Sequence, residues 1–352
     1  MWAGFLAYLG VLWAAPRLGR RVVWGLILVL VTAFAVAPVL LSHDVYSYVD
    51  YARLGVRHGL DPYVHPPLAA PGDPAYGEVT WTEATSAYGP LFTLLTYPLA
   101  WLPVGLAVAA LKAVAALAVL GIAALTARIA AWRGIDPLRA AGFVSLNPLV
   151  LVHVVGGAHN DGLTMLLAML GVAAILGARE PAGGAALLAA IATKLSAAFL
   201  APFALIGAHQ RGRLLTGALS AAVAIGLLAY LAFGWDWLHG FGLAGENQSR
   251  ASHMSVPITF ARIGGIGADG VRLAAALLFG GLVLYLLAWT ARGGDWIRAA
   301  AWAAFGLLLA SAWLLPWYLI WPLPLAAISR DRPLQLLTLA LTAYQLGARI
   351  PL

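Results

Sequence analysis

Cysteine is absent from this chain of 352 residues, which excludes disulfides, thiolate metal sites and a cysteine nucleophile. Charge is scarce too, with charged side chains making up 10% of the sequence against the ~25% of a soluble globular domain. Lysine occurs only as Lys112 and Lys194, both inside apolar runs. No P-loop, H-E-x-x-H, G-x-S-x-G or D-x-D pattern is present, so phosphate-loop, zincin, serine-hydrolase and metal–nucleotide chemistries lack their residues. The stretch GGIGADG at 264–270 contains G-x-G-x-x-G. It has no preceding buried strand and no βαβ context, and it reads as an external loop leading into a span.

Hydrophobic residues supply 62% of the chain, and the mean hydropathy is +0.87. Apolar runs fall at 2–16, 22–41, 104–127, 140–155, 162–178, 184–208, 214–233, 271–290, 299–315, 317–328 and 334–350. A helix crosses ~30 Å of hydrocarbon in roughly 20 residues. The wealth of alanine and leucine favours helices over the alternating strands of an outer-membrane barrel. The expectation is an all-α polytopic membrane protein with about 10–12 transmembrane helices, forming one domain over 1–352. Residues 2–16 lack a basic start and run into RLGRR rather than a cleavage site, so they read as a short first span.

The net charge of +7 points to membrane orientation rather than to nucleic acid, because the basic residues cluster between apolar runs. Placing the arginine-rich connectors inside puts Arg17, Arg20, Arg21, Arg128, Arg133, Arg139, Arg179, Arg211, Arg213, Arg292, Arg298, Arg330 and Arg332 on the cytoplasmic face. Outside lie Arg53, Arg57, Arg250, Arg262, Arg272 and Arg349, most of the acidic residues, and every histidine except His209. This alternation requires the 184–208 run to enter and return on the cytoplasmic side. With Lys194 and Pro202 near its middle, that run predicts two half-helices broken near Thr193 and Lys194, and irregular backbone at membrane depth belongs beside protein or a wet cavity. Two external segments stand out by length, 42–103 and 234–270. The first is a large extracytoplasmic loop.

That loop opens with LSHDVYSYVDYARLGVRHGLDPY, residues 41–63. Ser42 suits an N-cap, His43–His58 a helix of about four turns, and Gly59 with Pro62 a stop. Helical spacing puts Asp44, Tyr48, Tyr51 and Gly55 on one face and Tyr46, Asp50, Arg53 and Arg57 on another. The second face is explained by structure, with Asp50 pairing Arg53 and tyrosines anchoring at headgroups. Asp44 is different. It lies where a span emerges, and a carboxylate there is costly unless paired or used.

The sequence SHDVYSYVDYARLGVRHGLDPYVHPP, then YGPLFTLL, NPLVLVHVVGGAHND, ATKLSAAFLAP and WYLIWPLP resemble the bacterial polyprenol-phosphomannose-dependent alpha-1,6-mannosyltransferases. These are membrane glycosyltransferases of the GT-C class. The resemblance is dense over residues 41–205 and patchy beyond. It implies a GT-C-like bundle whose first large external loop carries an acidic catalytic residue just after a span, a position held here by Asp44. It also implies a lipid-phosphate sugar donor on the extracytoplasmic leaflet, inversion at the anomeric carbon, and no nucleotide, cofactor or tightly bound metal.

Inverting transfer needs a base for the acceptor hydroxyl and cationic help for the departing phosphate. Asp44 is the candidate base. Arg53, Arg57, Lys194, Arg250, His253 and Arg262 are candidates for the phosphate, and His159, Asn160 and Asp161 of GGAHND are candidates for sugar or phosphate contact. Against these stand plainer readings: a solvated loop for Arg250 and His253 in GENQSRASHMS, and a helix cap for Asp161. Lys112 reads as a snorkelling or structural cation. Tyr63, Tyr88 and Trp317 are candidates for stacking on sugar faces. The sequence thus predicts an inverting plasma-membrane transferase moving a sugar, foremost mannose, from a polyprenyl-phosphate donor to a cell-envelope glycan or glycolipid. A transporter or flippase of lipid-linked sugars, or a transferase of arabinose or glucose, is the competing expectation.

Overall fold

A computed structural model describes residues 2–246 and 249–347. Arg349, the end of the 334–350 run, and Asn247 and Gln248 of GENQSRASHMS lie outside the described residues. Among the described residues the chain is helical, with turns and no strand, as a chain that must satisfy its backbone polar groups in lipid requires.

Helix α1 (Trp2–Ala14) is followed by α2 (Arg20–Val36), which buries Val23, Ile27 and Val31 at four-residue spacing. The long segment 42–103 holds α3 (Asp44–Arg57) and the short α4 (Pro90–Thr96). Helix α5 (Val104–Trp132) then runs through the centre, and α6 (Pro137–Ser145) packs beside it. A π-helical turn at Val150–Val155 leads into α7 (Asp161–Leu176), and α8 (Glu180–Thr193) packs back against α7. Beyond a break come α9 (Ala201–Gly207) and α10 (Arg211–Phe233). The segment 234–270 carries α11 (His239–Glu246) and α12 (Val256–Gly264), followed by α13 (Ala268–Ala291), α14 (Trp296–Ala310), α15 (Leu323–Ile328) and α16 (Arg332–Gly347).

Three of these helices, α5, α10 and α13, are long and apolar enough to cross a membrane by length and composition. The most apolar window of α5 is 56% buried, against 17% for α10 and 6% for α13. Helix α5 is therefore central, while α10 and α13 turn most of their apolar surface outward. Several other apolar runs resolve into shorter pieces: 299–315 becomes α14, and 317–328 becomes a 3-10 turn at Pro316–Ile320 plus α15. Helices α8 and α10 cross so closely that a Cβ on Gly184 would lie 2.0 Å from Leu214 O, and one on Gly217 1.9 Å from Pro181 O. Small residues at such crossings let backbones touch where no hydrophobic force separates helix from lipid.

Polar ties sit at both ends of the bundle. At the arginine-rich end, Arg133 pairs with Asp295 and donates to Ile328 O, while Asp331 takes Arg298 Nε at 2.6 Å and Trp302 Nε1 at 2.9 Å. At the other, the Lys112 ammonium reaches the carbonyls of Ala37 and Pro38, where α2 has ended. Those carbonyls have lost their helical partners, so Lys112 is a structural cation that fixes the chain just before Asp44.

Candidate active site

Helix α3 begins at Asp44 rather than at His43, with His43 at the cap position and making no side-chain cap bond. Ser42 sits one residue further out and its Oγ accepts from Asp44 N at 3.4 Å. Gly59, at φ +66°, provides the expected stop. The two faces separate as their spacing implies: Asp44, Ser47, Tyr48 and Tyr51 line a cavity of about 500 Å³, and Arg53 and Arg57 turn away from it.

Arg53 pairs with Asp73, not with Asp50, through Nε at 2.7 Å, and its Nη1 donates to Ala100 O at 3.1 Å. Arg57 Nε donates to the same carbonyl at 3.0 Å and its guanidinium lies over the Trp101 ring. Both arginines brace the first long loop, so neither is available for a phosphate in the cavity. Asp50 is buried with one carboxylate oxygen unpartnered. Burial, then the neighbouring Asp73, pushes its carboxyl up to about 7.

Asp44 borders the cavity with its side chain 17% exposed. Trp81 Nε1 donates to its Oδ1 at 3.3 Å, and His159 Nδ1 stands 3.7 Å from its Oδ2. Burial holds the Asp44 carboxyl above the ordinary carboxylate range, while the Lys194 charge and the Trp81 and Ser42 bonds pull it down. A carboxylate so placed has the character of a base.

GGAHND is formed by the π-helical turn, two glycines and Ala158 at φ +54°. This sends His159 to Trp317 and brings Asn160 and Asp161 together at Lys194. The His159 imidazole stacks on Trp317 with centroids 3.6 Å apart. Asp161 does not cap α7; it is fully buried, accepts from Lys194 Nζ at 2.7 Å through Oδ2, and accepts from Trp321 Nε1 at 2.8 Å through Oδ1. Asn160 Oδ1 lies 3.4 Å from the same ammonium.

The break expected near Thr193 and Lys194 is present. Helix α8 ends at Thr193, Lys194 is extended at φ −157° and ψ 125°, and a 3-10 turn at Leu195–Leu200 leads to α9. Pro202 occupies the first turn of α9, where a missing N–H is harmless. The Thr193 carbonyl freed by the break accepts from Gly89 N at 3.1 Å. A Cβ on Gly89 would meet Ala192 O at 2.1 Å, so the YGP turn of the first loop docks on the break through a residue that has no side chain.

Tyr88, Lys194, Arg250 and Trp317 join Asp44 in lining the cavity. The Arg250 guanidinium lies 5.0 Å over Trp81 and 5.9 Å over Trp313. Tyr63 is not in the wall: its hydroxyl is tied to Tyr88 O and Thr93 Oγ1, both at 2.9 Å, as an internal strut. His253 and Arg262 line a separate hollow with Trp2, Thr259 and Tyr344, because the turn after Ser252 sends α12 toward α16. Trp81 carries no signal in the sequence, and Trp313, Tyr318 and Trp321 of WLLPWYLIWP read there as interfacial anchors, yet all four are cavity residues. Trp313, Trp317 and Trp321 recur every four positions, a signal that could have grouped them. Among the described residues no three His, Cys, Asp or Glu side chains converge as a metal site.

Comparison with known proteins bears on this arrangement. Residues 1–210 match the family model described as alpha-(1->6)-mannopyranosyltransferase, N-terminal domain. The chain is 33% identical to alpha-(1->6)-mannopyranosyltransferase A of Mycobacterium tuberculosis, over 93% of this chain and 70% of that relative. It is 32% identical to alpha-(1->6)-mannopyranosyltransferase A of Corynebacterium glutamicum, over 54% of this chain and 39% of that relative. The matched region contains α3, the GGAHND turn and the Lys194 break, and the chain belongs to the alpha-(1->6)-mannopyranosyltransferase family.

Proposed function

We propose that the chain is an inverting mannosyltransferase of GT-C architecture, a single polytopic domain whose cavity opens on the extracytoplasmic side and takes mannose from a polyprenyl-phosphate donor. The observation that carries this reading is the meeting of Asp44, Lys194 and Arg250 in one aromatic-walled cavity. A carboxylate held above its ordinary range and two cations in one concave site are the groups that displacement at an anomeric carbon uses.

In this account the acceptor hydroxyl attacks the anomeric carbon, and the bond from that carbon to the phosphate oxygen breaks on the opposite face. Asp44 receives the hydroxyl proton. The bond electrons leave with the lipid phosphate, whose added negative charge Lys194 and Arg250 stabilise. The apolar side of the same cavity, with Leu195, Phe241, Leu243 and Leu315, suits the first units of a lipid chain. The external placement is supported by the charge distribution of the connectors, and the mannosyl donor by the mannopyranosyl transfer for which the relatives are named.

The test is to supply the purified protein in lipid with an acceptor glycan and polyprenyl phosphates carrying mannose, glucose or arabinose, and to follow donor loss. Consumption of the mannosyl donor with release of polyprenyl phosphate is expected. Consumption of another sugar donor in its place, or movement of intact donor between leaflets without cleavage, would overturn the reading.

A further inference from the structure

Lys194 has three N–H donors. One is directed to Asp161 Oδ2 at 2.7 Å and a second faces Asn160 Oδ1 at 3.4 Å. The ammonium also stands 5.1 Å from the centroid of the Tyr318 ring, and Lys194 lines the cavity. Two sides of the charge are therefore fixed from behind, which leaves the third N–H for the cavity. Asp161 lies on the far side of that lysine, is fully buried and is not in the cavity wall. Both of its oxygens are engaged, one by Lys194 and one by the Trp321 indole.

We propose that Asp161 is a positioning residue that acts on the lipid phosphate only through Lys194, with Trp321 fixing the carboxylate from its other side. This rests on the reading that Lys194 holds the donor phosphate. Lys194 is in extended backbone between two helical pieces, and its backbone bonds, to Ala190 O and from Ala197 N, do not fix its side chain. A long lysine stem carries several rotatable bonds, and ordering it at the moment of binding costs affinity. A carboxylate already bonded to the ammonium removes that cost before the donor arrives. It also compensates a charge that would be expensive at membrane depth. The indole bond to the second oxygen stops the carboxylate from rotating out of line, so Asp161, Trp321 and Lys194 form one chain of contacts ending at the cavity.

Acting through another residue has a signature that direct contact lacks. If Asp161 touched the donor itself, its effect on affinity would persist when the lysine is gone; if it acts through Lys194, the effect vanishes in that background. The experiment measures the binding of a polyprenyl-phosphate mannose, and the KM for donor and for acceptor, in Asp161→Asn, Trp321→Phe, Lys194→Met and the double variant Asp161→Asn/Lys194→Met. Asp161→Asn is expected to weaken donor binding by about tenfold or more, the scale on which losing the outer partner of a binding group costs affinity. The KM for acceptor should stay unchanged. Trp321→Phe should shift donor binding in the same direction by less. The double variant removes both charges together and so folds without a lone buried ion, and it should bind donor as Lys194→Met does.

A double variant that binds substantially worse than Lys194→Met would overturn the positioning role, since Asp161 would then act on the donor directly. So would an unchanged donor affinity together with a raised acceptor KM in Asp161→Asn. Should Lys194→Met alone bind donor as tightly as the unaltered protein, it is the phosphate assignment of Lys194 that fails, and the inference falls with it for a distinguishable reason.

Discussion

The Trp81 indole donates a hydrogen bond to Asp44 Oδ1 at 3.3 Å, although 37 positions separate the two residues. The first long loop thus folds back on its own start and ties the carboxylate that opens α3 to an aromatic wall. The same indole carries the Arg250 guanidinium at 5.0 Å. One tryptophan therefore touches both the proposed base and a cation proposed for the phosphate.

That bond has a measurable consequence for pH dependence. Burial raises the Asp44 carboxyl, and the Trp81 bond opposes it, so Trp81→Phe leaves the carboxyl higher still. A base works only when deprotonated, and activity is lost as pH falls through its folded value. The acid limb of kcat/KM is expected above the ~4 of an ordinary carboxylate, and in Trp81→Phe it moves to higher pH. A pH–rate profile over both proteins measures this, and a limb that stays put or moves down contradicts it.

Arg53 and Arg250 should part company under mutation. Arg53 is paired with Asp73, and their side chains are 9% and 1% exposed; removing one partner of such a pair costs about 3–5 kcal/mol. Arg53→Ala is expected to lower the melting temperature in detergent while the folded fraction keeps its donor affinity. Arg250→Ala should leave the melting temperature nearly unchanged and weaken donor binding. Thermal melts paired with donor titrations separate the two.

Asp50 predicts the direction of a stability change. Its carboxyl is pushed up to about 7 by burial and by Asp73, so the stability it contributes is full below the ordinary carboxylate value of ~4 and is lost as pH rises through about 7. Asp50→Asn removes that dependence. Melting curves at pH 5 and pH 8 should show the variant gaining on the unaltered protein at the higher pH, and an equal difference at both would count against the assignment.

What the sequence disclosed follows from which interactions are local. The two faces of α3 were legible because helical spacing decides them, and the break at Lys194 because an ammonium and a proline inside an apolar run cannot sit in a smooth lipid-facing helix. The partners of Arg53 were not legible. Asp73 lies 20 positions away and Ala100 lies 47, and helical spacing offered Asp50 in their place. His253 and Arg262 looked equivalent to Arg250 by charge and by external placement, yet only the fold shows that they line another hollow. Asp161 does stand at the start of α7 as the helix-start reading has it, but the partners that hold its carboxylate, Lys194 and Trp321, lie 33 and 160 positions along the chain.

The central claim is that Asp44 takes the proton of the acceptor hydroxyl, and Asp44→Asn tests it most directly. The amide keeps the shape of the side chain and removes the base. With saturating mannosyl donor and acceptor, single-turnover transfer by this variant should fall by roughly 100-fold or more, while its melting temperature and donor affinity stay close to those of the unaltered protein. Near-normal turnover in a folded, donor-binding Asp44→Asn protein would contradict the account.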